Sequence, residues 1–291
     1  MPRHAYLIIC HTAPRQLARL IALLDDQRND IFVLADKKAA SLDLSHLHCS
    51  AARLYILPPK VKIYWGHISM VKAELQLFEA ACRVGEHSYY HLISGVDLPL
   101  HTQDYIHEFC LKNQGKLFIE VTNPTEARRI TNTQYNFLIK YQKNKNWLIK
   151  KIYRVVVELT LDIQHALGIV REDGKTWMHG SQWCSVTHDF ATNLVANKRL
   201  ILNRFKRSNC PDEIYKSTIA YQPEFADRIY ELHAEFDSML RDIDWERGNP
   251  YVWRETDYDY LIHSHRLFAR KFDENIDSRI IDLICDHITK K

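Results

Sequence analysis

Tyr6-Leu7-Ile8-Ile9-Cys10, followed by helical spacing of apolar residues over Gln16 to Asp26 and a second β-rich run over Ile31 to Ala35, reads as strand, helix, strand. The same alternation continues outward. Arg53 to Leu57, Tyr89 to Ser94 and Lys116 to Glu120 read as further strands, and Ile68 to Arg83 and Asp104 to Lys112 as helices. Such alternation predicts an α/β fold with a mostly parallel central sheet covered by helices on both faces. Ligands in these sheets sit at the carboxyl ends of the strands. The loops to search are therefore His11-Thr12-Ala13, Asp36-Lys37-Lys38, Tyr64-Trp65-Gly66-His67 and Ser94-Gly95-Val96-Asp97-Leu98-Pro99-Leu100.

Composition narrows the function classes. A chain of 291 residues with a formal net charge of +3 is soluble and globular in character, and its charge implies no nucleic acid. The seven cysteines form no C-x-x-C pair and read as reduced thiols, which predicts a cytoplasmic protein without a zinc site. With eight glycines the chain carries neither a dinucleotide-binding fingerprint nor a phosphate-binding loop. No run reaches the roughly 18 apolar residues of a membrane span. The apolar run at the N-terminus is too short for the core of a signal peptide and is read as the first strand.

Asn209-Cys210-Pro211-Asp212-Glu213-Ile214-Tyr215 predicts a helix start with two adjacent acids, Pro losing no needed N–H there. Neighbours on a helix point about 100° apart, so Asp212 and Glu213 cannot share one cleft. Either both are ordinary solvated acids of a helix start, or one serves the start and the other is free to act. From Gln134 to Leu167 the chain is helical and basic, with Lys140, Lys143, Lys145, Lys150, Lys151 and Arg154 among Tyr141, Trp147, Ile149 and Tyr153. This segment suits an anionic membrane surface, an anionic acceptor or a plain solvated face. Gly180 to Thr187 reads as a turn and a strand, with Trp183 either in the core or exposed as a sugar platform. Met239 to Trp245 predicts a strand, Asp257 to His263 a helix, and a last helix begins near Ile276. No repeat or linker divides residues 1–291, which are read as one domain with a basic helical insertion near 134–168.

Five of these stretches are distinctive in order: Tyr64-Trp65-Gly66-His67-Ile68-Ser69-Met70-Val71-Lys72-Ala73-Glu74; His91-Leu92-Ile93-Ser94-Gly95-Val96-Asp97-Leu98-Pro99-Leu100; Gly180-Ser181-Gln182-Trp183; Cys210-Pro211-Asp212-Glu213; and Leu267-Phe268-Ala269-Arg270-Lys271-Phe272-Asp273. Together they resemble the core-2/I-branching β-1,6-N-acetylglucosaminyltransferase family, which also contains peptide O-xylosyltransferases and many bacterial members. The resemblance implies a GT-A fold, a UDP-sugar donor, inversion at the anomeric carbon and catalysis without a metal or other cofactor.

It also implies roles. Glu213 matches the family's catalytic base, Arg270 and Lys271 its diphosphate-binding cations, and Arg254 is a candidate for a further one. His11, Asp36, Trp65 and Ser69 are placed near the nucleotide; Asp36 is either a partner of uracil or ribose, or a turn acid. Asp97, Ser181, Trp183 and Asp212 are placed near donor or acceptor sugar. Asp97 supplies only one acid where a metal-dependent GT-A enzyme carries Asp-x-Asp, and Asp242-Ile243-Asp244 and Asp257-Tyr258-Asp259 are read as chance matches.

The chemistry agrees with these roles. A sugar hydroxyl needs a carboxylate to take its proton, and a leaving diphosphate without a metal needs fixed cations. Partners are then a UDP-sugar, N-acetylglucosamine being the family-level choice, and a glycan or lipid-linked glycan acceptor in surface polysaccharide synthesis. A cytoplasmic bacterial member is expected, in peripheral contact with anionic lipid at the inner membrane face. Two other readings stay open: a degenerate fold binding glycan or membrane, and a two-carboxylate glycoside hydrolase.

Overall fold

The computed structural model describes residues 3–39, 41–125, 134–171, 176–232, 234 and 236–290. In chain order the strands are β1 (His4–Cys10), β2 (Asn29–Ala35), β3 (Arg53–Leu57), β4 (Tyr89–Ser94), β5 (Leu98–Pro99), β6 (Cys184–Thr187), β7 (Arg241–Ile243) and β8 (Phe268–Arg270). The helices are α1 (Pro14–Leu23), α2 (Ser69–Val84), α3 (Gln103–Lys112), α4 (Trp147–Ala166), α5 (His188–Ala196), α6 (Lys198–Phe205), α7 (Tyr215–Ala220), α8 (Phe236–Met239), α9 (Tyr258–Ile262) and α10 (Ser278–Thr289).

The main sheet has five strands in the order β3-β2-β1-β4-β6. The first four are parallel and β6 runs antiparallel to β4. Every residue of β1, β2 and β4 is buried, as the uninterrupted apolar runs require. Alternate residues of β1 divide between two cores. Leu7 and Ile9 face Val71, Leu75 and Phe78 of α2 with Phe190 and Leu194 of α5, while Tyr6 and Ile8 face Leu17 and Leu20 of α1 with Ile280 and Ile284 of α10. The fold is thus mixed α/β, with a mostly parallel sheet and helices on both faces.

Three expectations shift. Lys116 to Glu120 forms no ladder; Leu117, Phe118 and Ile119 are buried, but Leu117 and Phe118 make only isolated bridges to Ile229 and Ser185. The expected strand at Met239 to Trp245 shortens to β7, which joins β5 and β8 in a second sheet ordered β5-β8-β7. Pro211 opens a 3-10 turn over Pro211–Glu213, and the α-helix begins only at Tyr215.

Strand order reverses between β1 and β4, which places a crevice at their carboxyl ends. Gly95 closes the base of that crevice: its N–H donates to the carbonyl of Ile9, and a Cβ there would lie 2.9 Å from Cβ of Cys10. The C-terminal segment is held across it by Gln16, whose Nε2 donates to the carbonyl of Phe272 (3.1 Å) and whose Oε1 accepts from the N–H of Glu274 (3.1 Å).

Candidate active site

His11 follows β1, Asp36 follows β2 and Asp97 follows β4. The fold therefore brings three of the sequence-selected loops to one edge. Arg270 and Lys271, at the end of β8, reach the same edge. Arg270 Nη1 donates to Asp97 Oδ1 at 2.8 Å, and its guanidinium lies 4.5 Å from the Trp183 ring centre. Asp97 Oδ2 accepts the N–H of Ser94 at 2.8 Å. Burial pushes the Asp97 carboxyl above its ordinary range, opposed by Arg270 and by this N–H. Partial burial lowers the His11 imidazole, with Asp36 pulling it back up and Lys271, Arg270 and Lys38 lowering it further, so all five groups share one electrostatic neighbourhood.

The acids at 212 and 213 part as adjacent side chains must. Asp212 is 7% exposed, whereas 36% of the Glu213 side chain is accessible. His179 Nε2 lies 3.2 Å from Glu213 Oε2, and the N–H of Gly180 donates to the carbonyl of Glu213 at 2.9 Å. Burial first, then the charges of Glu74 and Glu213, push the Asp212 carboxyl up to about 8, against Lys216. Beneath the turn, Lys216 Nζ and Tyr215 Oη donate to Glu74 Oε2 at 2.6 and 2.7 Å. Asp212 thus turns toward the interior and Glu213 toward the opening.

Residues 179–183 join the two halves. At one end His179 and Gly180 hold Glu213; at the other Trp183 lies beneath Arg270. Four residues span at most roughly 14 Å, so Glu213 and Arg270 are tied to the two ends of one short segment. Gly180 is required there: a Cβ would meet the carbonyl oxygen of Glu120 at 1.9 Å.

The remaining selected residues are placed as follows. Asp36 Oδ1 accepts the N–H groups of Lys38 (2.9 Å) and Ile63 (3.1 Å), the work of a turn acid, while Oδ2 faces Lys38 Nζ at 3.4 Å. Trp65 is half exposed beneath Lys143. Its loop is drawn to the Pro-Asp-Glu turn by the Cys210 N–H, which donates to the Gly66 carbonyl (2.9 Å). The Ser69 hydroxyl is taken up at the start of α2 by the Tyr64 N–H and His67. The Ser181 hydroxyl accepts the N–H of Trp183 at 3.2 Å. Arg254 is exposed, next to Trp253, whose N–H donates to the Lys271 carbonyl at 2.9 Å. Sequence reasoning missed His179, Tyr215 and Lys216; the immediate precedence of His179 to Gly180-Ser181-Gln182-Trp183 was the one available signal.

The sequence profile described as "Branch: Core-2/I-Branching enzyme" matches residues 4–267. This chain belongs to the Core-2/I-branching enzyme family. As a member of that family it is a glycosyltransferase. Among solved structures, mouse xyloside xylosyltransferase 1 in its apo form aligns at 10% identity over 92% of this chain and 97% of that one, with a TM-score of 0.40. For a Core-2/I-branching enzyme, a half-exposed carboxylate and a guanidinium joined through one short segment are groups able to take a proton and to stabilise a departing anion.

Proposed function

We propose that the protein transfers a sugar, N-acetylglucosamine in the first instance, from a UDP-sugar to a hydroxyl of a glycan acceptor, with inversion and without a metal. The observation that carries this reading is the His179–Trp183 segment, which touches Glu213 at one end and Arg270 at the other. The acceptor oxygen attacks C1 as Glu213 takes its proton. The bond from C1 to the diphosphate oxygen breaks on the opposite face, and UDP leaves with the bonding pair. Arg270 offers a planar fork and Lys271 a point charge to the diphosphate. Asp97 is already paired with a resident cation, Arg270, which supports the metal-free reading.

In steady-state assays with EDTA present, Glu213→Gln is expected to lower kcat about 10²- to 10⁴-fold while donor affinity stays near wild type. Lys271→Ala is expected to weaken donor binding instead. Retained turnover in Glu213→Gln, or turnover only with added Mn²⁺ or Mg²⁺, would overturn the mechanism.

We further propose peripheral contact with anionic lipid at the cytoplasmic membrane face, where the acceptor is part of surface polysaccharide synthesis. No helix among the described residues is long and apolar enough to cross a membrane. On α4, Leu148, Ile152, Val155, Leu159 and Ile163 recur at helical spacing and all are exposed, Leu159 by 58%. Lys143, Lys145, Lys150, Lys151 and Arg154 cluster at its N-terminal end beside exposed Trp147. An exposed apolar stripe with adjoining cations fits an anionic bilayer surface. In flotation with phosphatidylglycerol vesicles, Ile152→Asp with Leu159→Asp should abolish binding and substitution of the lysines should weaken it; binding unchanged by both would refute the contact.

A further inference from the structure

A second cleft, of about 370 Å³, has Tyr135, Arg171, Trp177, Arg204, Lys206 and Arg207 in its lining. Three guanidiniums and two ring faces alternate along it. Arg207 lies 5.5 Å from the Tyr135 ring centre, Arg171 lies 5.3 Å from Tyr135 and 5.6 Å from Trp177, and Arg204 lies 4.6 Å from Trp177. Arg171 is fixed further by hydrogen bonds to Ser208 Oγ (2.9 Å) and to the Arg204 carbonyl. Stacking on rings fixes the planes of the guanidiniums and leaves N–H edges to donate beyond the stack. Gathering four cations in one cleft costs Coulomb energy that a multiply charged anion reverses.

The position of the cleft says which anion. Trp177 precedes His179, the partner of Glu213, by two residues, and Arg207 precedes Glu213 by six. Chain geometry therefore keeps the Trp177 Cα within roughly 7 Å of that of His179, and Arg207 within roughly 20 Å of Glu213. On the other side, Tyr135 is bound to α4: its N–H donates to Gln164 Oε1 (2.7 Å) and its carbonyl accepts from Gln164 Nε2 (3.0 Å). The cleft thus adjoins, through the chain, both the segment that holds Glu213 and the helix that carries the exposed apolar stripe. Arg270 and Lys271 are separate from this lining.

We propose that this cleft is an acceptor subsite that holds a phosphate or diphosphate group borne by the glycan acceptor. This rests on the transferase reading above. Its physical content is that the acceptor is anchored by its charge while a hydroxyl further along reaches Glu213.

The test follows the indole N–H signals of Trp177 and Trp183 by NMR in the full chain, with EDTA present. UDP should move Trp183; if it does not, the donor reading fails independently of the cleft. With UDP saturating, inorganic pyrophosphate should move Trp177 saturably. Lys206→Gln with Arg207→Gln, both at exposed positions, should weaken that response about tenfold or more, with an unchanged urea midpoint showing that the fold is kept. Arg204→Lys, which keeps the charge but not the fork, should weaken it less. A Trp177 signal indifferent to pyrophosphate, or an affinity unchanged by the double substitution, would overturn the subsite. A glycosyl 1-phosphate that moves Trp177 supports an acceptor phosphate. A response to phosphatidylglycerol vesicles without one to glycosyl 1-phosphate would assign the cleft to bilayer headgroups and overturn the acceptor role.

Discussion

Beneath the Pro211–Glu213 turn, Lys216 and Glu74 pair at 2.6 Å with both side chains fully buried, whereas at the end of β4 the Arg270–Asp97 pair buries the acid and leaves 19% of the arginine accessible. Tyr215 completes the closed pair with a hydrogen bond to the same oxygen of Glu74. The open pair lies within electrostatic reach of His11, as does Lys271. An acid–cation pair can therefore do different work according to whether the cation can reach solvent. The closed pair braces the turn that carries Glu213, Lys216 also donating to the Asp212 carbonyl, and the open pair is the one the proposed transfer reaction assigns to the diphosphate.

That contrast is broken most severely by Lys216→Met. It leaves Glu74 in the interior without its cation, which typically costs about 3–5 kcal/mol, read from the urea midpoint. Adding Glu74→Leu should restore most of the loss, since a buried pair is often replaceable by apolar groups of similar volume. A single-variant cost below about 1 kcal/mol would mean that the pair does not support the turn.

Arg270→Lys sharpens the other half. It preserves the charge opposite Asp97 but loses the fork and the stack on Trp183, so calorimetric UDP affinity should fall about tenfold with little loss of stability. Unchanged affinity would confine Arg270 to neutralising Asp97.

The smallest effect, per unit of pH, belongs to Asp212. Its carboxyl is raised from 3.8 to about 8 on folding, so between these values the native state holds a proton that the unfolded chain has released. Stability should fall with rising pH across that window by at most about 1.4 kcal/mol per unit, and level off above it. Asp212→Asn should flatten the profile of unfolding free energy against pH over the same range. An unaltered slope would show that Asp212 is ionised in the folded protein.

Legibility in the sequence followed the range of the interactions. β1, β2 and β4 were visible because buried parallel strands carry long apolar runs, and the half-exposed edge strand β3 because Leu54, Tyr55, Ile56 and Leu57 are β-formers in a row. Residues 116–120 carry the same apolar signal, yet their bridges go to Ser185 and Ile229, pairings that no local pattern announces. Strands of two or three residues such as β5, β7 and β8 are too short to show a period. The divergence of Asp212 and Glu213 could be argued from helical geometry alone. His179 could not, because its role exists only through a residue 34 positions away. The basic cleft was hidden for the same reason: Tyr135, Arg171, Trp177 and Arg204 to Arg207 come together only in three dimensions.

The grip of Gln16 on Phe272 and Glu274 bears on where this catalytic unit can be cut. The family match stops at Leu267, three residues short of Arg270. A boundary drawn there would keep Glu213 but discard Arg270 and Lys271, the carbonyl that Gln16 holds and α10, whose Ile280 and Ile284 cover the outer face of β1. Fragments, fusions and permuted chains that aim to preserve the fold must therefore keep the tail through Thr289.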